Sequence, residues 1–334
     1  MSTKNKIAII GAGISGLCLA HRLKDVAAVR IFEKSRGMGG RMATRRAGAF
    51  RFDHGAQYFA ARGEAFKTFL APFIRSGVVQ AWQPRLTVLP HDAGRDPQVW
   101  TAPRYVATPG MNGLAKQLGR DLDVVLETEI GAVTAEDSRW RLTTTGGHDL
   151  GLFDWVISTA PAAQTDRLLP ADFFGHAPLK ATIMQGCYSL MLAFDHPLPM
   201  SWDAAHVAQD PLAWIAVNAT KPGRGDAQCI VAQSSNSWAA AHMERDQGEV
   251  RAVLVAAFEE ITGQSVATAA AVTIHRWRYA NVVAPAGQPF LLDKAHRLAA
   301  AGDWCGTGKI EAAFESATGL AEALLPLLHR RVEG

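Results

Sequence analysis

The chain has 334 residues, 48% of them hydrophobic and 19% charged, enough apolar material for one large core or two interleaved domains, which excludes a disordered chain and a small stapled fold. Thirty-four basic residues stand against 31 acidic ones, a formal net charge of +3, and without a long basic run this balance gives no case for nucleic acid. The four cysteines lie far apart with no CxxC spacing, so reduced thiols and a cytoplasmic setting are expected. No apolar stretch reaches the ~18 residues of a membrane span.

The first element is Ile7–Ile10, read as a short buried strand, followed by Gly11-Ala-Gly13-Ile14-Ser15-Gly16 and a helix with apolar Leu17, Leu19, Ala20 and Leu23. Two lysines before an apolar run also describe a secretory signal, but His21-Arg22 stand where a cleavage site needs small residues. In a nucleotide-binding reading each glycine has a task. Gly11 permits the tight turn, Gly13 lets backbone approach a pyrophosphate, and Gly16 lets helix and strand pack closely. A second strand, Val29–Phe32, ends at Glu33, 17 residues after Gly16, where an acidic side chain can accept both ribose hydroxyls. A plain dinucleotide domain would next enter a helix. This chain instead runs Lys34-Ser-Arg-Gly-Met-Gly-Gly40-Arg41-Met42, a second glycine-rich loop with a cation suited to the other face of a pyrophosphate.

Farther along, residues 123–133 read as a strand, 139–147 as part of a hairpin with a Gly-Gly turn, and 153–161, which contains Thr159, as a buried strand stopped by Pro161. Runs at 187–194, 213–217 and 228–234 suggest antiparallel strands, and 249–261 has helical periodicity. Pro-bounded stretches at 84–103 and 195–211 are expected as rim loops. No Ser/His/Asp or metal-ligand spacing stands out among the 11 histidines, and no metal is expected.

The glycine motif, Glu33 and the Gly-Gly-Arg loop together resemble the flavin-containing amine oxidase superfamily, as does Gly302-Asp303 before a C-terminal helix containing Ile310. Within it the chain is similar to the renalase group, on "FDHGAQYFAAR" (52–62), "TPGMNGLAKQL" (108–118), "LAWIAVNATKP" (212–222), "SNSW" (235–238), "HRWRYA" (275–280) and "AGDWCGTGKIEAAF" (301–314). The resemblance implies an α/β fold: a Rossmann-like FAD-binding domain of amine oxidase or p-hydroxybenzoate hydroxylase topology, with an inserted mixed-sheet α+β substrate domain. The expected division is 1–65, 105–165 and 288–334 for the FAD-binding domain, and 66–104 and 166–287 for a lid.

It further implies non-covalent FAD, since the linking cysteine of covalent relatives lies upstream of the C-terminal glycine motif. The implied cofactor contacts are Gly11, Gly13, Ile14, Ser15, Gly16, Glu33, Lys34, Gly40, Arg41, Met42, Gly55, Ala56, Gln57, Ile130 (backbone to adenine), Thr159, Gly302, Asp303 (to the ribityl chain) and Ile310. Tyr58, Trp214, Gln233 and Trp277 are the expected substrate contacts, Gln233 standing where the resemblance implies a histidine. Lys221, Arg224, Arg276 and Arg278 are candidate phosphate contacts at the pocket mouth, against the plainer reading of solvated surface charge. The implied reaction is oxidation of 2- and 6-dihydro isomers of NAD(P)H to NAD(P)+, by hydride transfer to flavin N5 with O2 reduced to hydrogen peroxide. No catalytic side chain is assigned. The partners would be a dihydronicotinamide dinucleotide and O2, without nucleic acid or membrane; no oligomeric state is specified. An amine oxidase or desaturase-like enzyme, and a non-catalytic FAD-binding sensor, are the alternatives.

Overall fold

A computed structural model describes residues 4–90, 100 and 102–329; residues 91–99 and 101 of the first expected rim loop lie outside the described set. The chain forms two compact units, one of residues 1–40, 115–184 and 282–334, the other of 41–114 and 185–281. These limits differ from the expected ones: residues 41–65 and 105–114 cluster with the second unit, and 166–184 and 282–287 with the first.

In the first unit, Lys6–Ile10 pairs in parallel with Ala28–Phe32 on one side and Trp155–Ser158 on the other. The six-stranded sheet is completed by Asp123–Val125 beyond Ala28–Phe32, and by Leu298–Ala300 and then antiparallel Leu291–Asp293 beyond Trp155–Ser158. A parallel strand covered on both faces reads as an unbroken apolar run, and Ile7–Ile10 are all buried. The helix Ile14–Leu23 has eight of its ten residues buried; it packs beside the helix Lys309–His329, where Ser15 Oγ donates to the Ala313 carbonyl at 2.9 Å. Each fully buried leucine along it contributes about 1.5–3 kcal/mol of transfer free energy.

The expected strand 123–133 is divided between two sheets. Asp123–Val125 ends the parallel sheet, and Ile130–Glu136 opens a three-stranded meander with Arg139–Thr144 and Asp149–Phe153. Glu127, at φ +52°, turns the chain between them. The backbone N–H groups of Glu127 and Thr128 donate to the carbonyls of Ser35 and Glu33, so the break fastens this segment to the end of the second strand. Asp137 and Ser138, both at positive φ, make the two-residue hairpin whose twist matches its strands.

The second unit is built on a six-stranded sheet in the order Ala271–Ala284, Ile183–Phe194, Gln228–Ser234, Leu212–Val217, Ala204–Val207, Leu86–Leu89. Side chains alternate between its faces. Leu190, Leu192, Ile215, Val217, Ile230 and Ala232 share one apolar cluster with Val250, Leu254 and Phe258 of the helix Gln247–Thr262. Met191, Ala193, Cys229 and Val231 cluster on the opposite face with Phe52. The same period of two places Ser189, Trp214, Gln233, His275 and Trp277 on that second face, towards the chain after Phe52. Among the described residues no helix is long and apolar enough to cross a membrane.

Candidate functional site

The first unit turns sharply after its first strand. Gly11 holds φ +108° and donates its N–H to the Phe32 carbonyl at 2.8 Å. A Cβ on Gly16 would sit 2.0 Å from the Gly11 carbonyl oxygen and 2.9 Å from Thr159 Oγ1, so only glycine permits this crossing. The Thr159 hydroxyl lies within hydrogen-bond reach of the Ile10 and Gly11 carbonyls, at 3.1 and 3.0 Å. Gly13 precedes the helix with no side-chain cap, and no atom lies within 4 Å of where its Cβ would stand. The first-turn N–H groups of Ile14, Ser15 and Gly16 have no carbonyl one turn earlier in the helix to bond, and they lie at the positive end of its dipole.

The second glycine-rich loop is fastened to the first: Gly39 N–H donates to the Ala12 carbonyl at 2.9 Å, and Gly40, at φ +52°, stands against the Gly13 Cα. Glu33 is buried. Its Oε2 accepts from Ala12 N–H at 2.8 Å and its Oε1 from Ser35 N–H at 2.9 Å, and a carboxylate has about four acceptor directions, so hydroxyls can be added. An open glycine, free donors and a fixed carboxylate fit the pyrophosphate and ribose of a dinucleotide. Lys34 is exposed and pairs with Glu129 at 3.9 Å; Ile130, next in sequence, is buried.

At the other end of this unit Gly302 donates to Ser316 Oγ at 3.1 Å. Asp303 is buried and its carbonyl accepts from Gly306 and Gly308 N–H, each at 3.1 Å. Gly308 and Lys309 both hold positive φ, 77° and 79°, and Ile310, buried, enters the helix. Burial pushes the Cys305 thiol up to about 11.

In the second unit the segment after the strand Phe50–Phe52 is held on many sides. The Arg41 carbonyl accepts Ala56 N–H at 2.8 Å and would lie 2.0 Å from a Cβ on Gly55. Trp277 Nε1 and Ser189 Oγ both donate to the His54 carbonyl, at 2.8 and 2.6 Å, and Gln233 Nε2 donates to the Gly55 carbonyl at 2.8 Å. Gln57 is buried; its Nε2 donates back to the Asp53 and Gly55 carbonyls and its Oε1 accepts from Lys221 Nζ at 3.1 Å. Met42 is buried in the short helical turn Gly40–Met42.

Tyr58 lies against three indoles, with ring centroids 4.6 Å from Trp100, 5.6 Å from Trp214 and 6.3 Å from Trp82. The Arg104 guanidinium lies 6.0 Å from the Tyr58 ring centroid and 5.4 Å from that of Trp100. Burial raises the Tyr58 hydroxyl above its ordinary value despite that cation. His54 and His275 pack edge to face at 4.8 Å, each also against Trp277. Burial, with the neighbouring Arg45 charge, pulls both imidazoles down to about 4, so both are neutral near pH 7.

Two of the four candidate phosphate cations are placed otherwise. Lys221 and Arg224 are buried against Asp53: Arg224 Nη2 and Nε reach Oδ2 at 2.5 and 2.9 Å, and Lys221 Nζ stands 3.7 Å away. Arg276 donates to the Met243 carbonyl at 2.7 Å, and Arg278 pairs with Glu244. Lys221 and Arg224 are therefore structural charges rather than pocket-mouth cations. Asp53, His54, His275, Trp82 and Trp100 join these residues without a spacing of their own in the sequence; the available signal is an ionisable pair, Asp53-His54, set directly beside Gly55. Among the described residues no group of three or more His, Cys, Asp or Glu is arranged to hold a metal ion.

Residues 87–325 match the profile of flavin containing amine oxidoreductases. The chain belongs to that family. Residues 9–73 also match an NAD(P)-binding Rossmann-like domain. Among solved structures, this flavin-dependent oxidoreductase is similar to a putative protoporphyrinogen oxidase from Exiguobacterium sp. 255-15, at TM-score 0.75 and 16% identity over 97% of this chain and 99% of the other. It is similar too to wild-type putrescine oxidase bound to putrescine, at TM-score 0.70 and 12% identity over 96% and 99%, and to a double mutant of putrescine oxidase, at TM-score 0.71 and 12% identity over 97% and 99%. At these identities the likenesses concern the fold, a Rossmann-like domain joined to mixed sheets.

Proposed function

We propose that this flavoenzyme is a renalase-like oxidase that returns the 2- and 6-dihydro isomers of NAD(P)H to NAD(P)+. The observation that carries the reading is the aromatic wall of Tyr58, Trp82, Trp100 and Trp214 with the Arg104 cation over two of its rings. Such a wall stacks a flat heterocycle and excludes water. Its positive charge favours a substrate with phosphates and opposes one with ammonium groups. Gln233 and Trp277, which brace the backbone at His54 and Gly55, would fix the floor beside that wall.

The cofactor proposed is FAD, held without a covalent bond. The turn Gly11–Gly16 and the helix N–H groups of Ile14 and Ser15 would bind its pyrophosphate, with Gly40 and Arg41 on the other side, Met42 and Thr159 shaping the turn and Lys34 at its rim. Glu33 would hold the adenosine ribose, Ile130 backbone the adenine, Asp303 the ribityl chain, and Gly55, Ala56, Gln57, Gly302 and Ile310 would frame the flavin ring. Bound flavin supplies a hydride acceptor whose electrons pass to O2 as hydrogen peroxide. A thiol pushed up to about 11 leaves Cys305 protonated at neutral pH and a poor nucleophile, which supports non-covalent binding. The four cysteines, free and buried, are consistent with the cytoplasmic setting proposed.

A second reading, amine oxidation, is supported by the fold likeness to putrescine oxidase. Anaerobic mixing separates the two. Dihydronicotinamide isomers should bleach the bound flavin within seconds while putrescine leaves it oxidised; rapid bleaching by the amine, with the isomers inert, would replace the first reading by the second.

A further inference from the structure

Three charged side chains meet in the interior of the second unit, and they do not balance. The exposures of the Asp53, Lys221 and Arg224 side chains are 0%, 0% and 1%, one anion against two cations. Arg224 takes Asp53 Oδ2 with two N–H groups, at 2.5 and 2.9 Å, while Asp53 Oδ1 accepts from Thr44 Oγ1 and Met111 N–H. The carboxylate is saturated without the lysine, whose Nζ is 3.7 Å off. The closer contact of Lys221 is the Gln57 amide oxygen, at 3.1 Å.

We propose that Lys221 is a positioning residue: by donating to Gln57 Oε1 it fixes the Gln57 amide, whose Nε2 then holds the Asp53 and Gly55 carbonyls and so the Gly55–Gln57 turn. The inference rests on the reading that this turn frames the flavin. Without a donor, Oε1 is a buried unsatisfied acceptor, and the Gln57 amide loses one of the bonds that orient its Nε2 towards the two carbonyls. The groups facing Nζ are Asp53 from the turn after Phe52, Arg224 from the lysine's own loop, the neutral Gln57 amide, and the Trp82 ring of the strand Val79–Trp82, its centroid 5.3 Å away. Burial, helped by the Arg224 charge and opposed by Asp53, brings the Lys221 ammonium down to about 8. Raising the pH through that value removes the charge that strengthens the bond to Gln57.

The test compares wild type with Lys221→Met, Gln57→Leu, the double variant and Ala56→Trp, by FAD affinity across about pH 6.5 to 9.5 and by unfolding of the flavin-free proteins. Lys221→Met leaves the Asp53–Arg224 pair intact. It should weaken FAD binding about 10-fold at pH 7, the loss of one charge-assisted hydrogen bond, and the gap should narrow as the pH rises through about 8. Gln57→Leu should show the same loss, and the double variant no more; if Lys221→Met fails to fold, Gln57→Leu alone carries the test, and wild-type affinity in it overturns the proposal. In the flavin-free proteins the folded chain binds fewer protons than the unfolded chain between about 8 and the ordinary lysine value of about 10.4, so wild type should gain stability over Lys221→Met as pH rises through that window. Unchanged affinity in Lys221→Met and in Gln57→Leu, while Ala56→Trp loses FAD, overturns the lysine's role alone. Unchanged affinity in Ala56→Trp overturns the placement of the turn and this inference with it.

Discussion

Asp53 shows how little a buried ion pair reveals of itself in a sequence. Lys221 and Arg224 are candidate cations for a pocket mouth only through the implied substrate, and their partner lies 168 and 171 residues earlier, beyond anything that local periodicity reports. Burial alone would raise the Asp53 carboxyl; Lys221, Arg224 and the Met111 N–H together hold it below the usual carboxylate range. A folded value below the unfolded one means that Asp53 contributes stability above about pH 4 and loses it as acid titrates the folded carboxyl. Removing the anion strands two cations in the interior. Asp53→Asn should therefore cost about 3–5 kcal/mol in urea unfolding at neutral pH, and a loss under about 1 kcal/mol would show that the cluster does not hold the loops together. The dinucleotide residues were legible for the opposite reason: Gly11, Gly13, Gly16 and Glu33 act within one strand–turn–helix–strand unit, so their spacing is their geometry.

At the scale of elements the runs at 228–234 and 7–10 translated directly into strands with the bounds Gln228–Ser234 and Lys6–Ile10. Residues 123–133 did not. Their apolar residues fall in two runs, 124–126 and 130–133, on either side of Glu127-Thr128-Glu129; the chain leaves one sheet for another at Glu127, and the bonds that fix the break go to Glu33 and Ser35 backbone, a tertiary choice that propensity does not contain. Gly16 is the opposite case, where the element depends on one missing methyl group. In Gly16→Ala the new Cβ must move about an ångström or more from the Gly11 carbonyl, since 2.0 Å is available. We expect a loss of about 1–3 kcal/mol, as for other overpacked contacts, and at least about 10-fold weaker FAD binding as the helix N–H groups shift. Calorimetry of FAD binding checks this; wild-type affinity in Gly16→Ala would show that the helix tolerates the displacement.

The whole molecule is assembled from segments distant in sequence: three make the first unit and two the second. Glu33 and Asp303 belong to the same unit although 270 residues separate them, which the resemblance implied and no local pattern could. The limits at residues 40, 114, 184 and 281 were not legible, because the chain passes between units inside continuous elements, the short helical turn Gly40–Met42, the helix Gly113–Leu118 and the strands Ile183–Phe194 and Ala271–Ala284, with no linker composition to mark the passage. Such a chain should carry its redox group as a separable molecule. The measurement is flavin content: purified protein is denatured, precipitated, and the flavin in the supernatant identified and counted per chain. One FAD per chain, all released, is the predicted result. A chain without flavin, or flavin that stays with the precipitate, would contradict it.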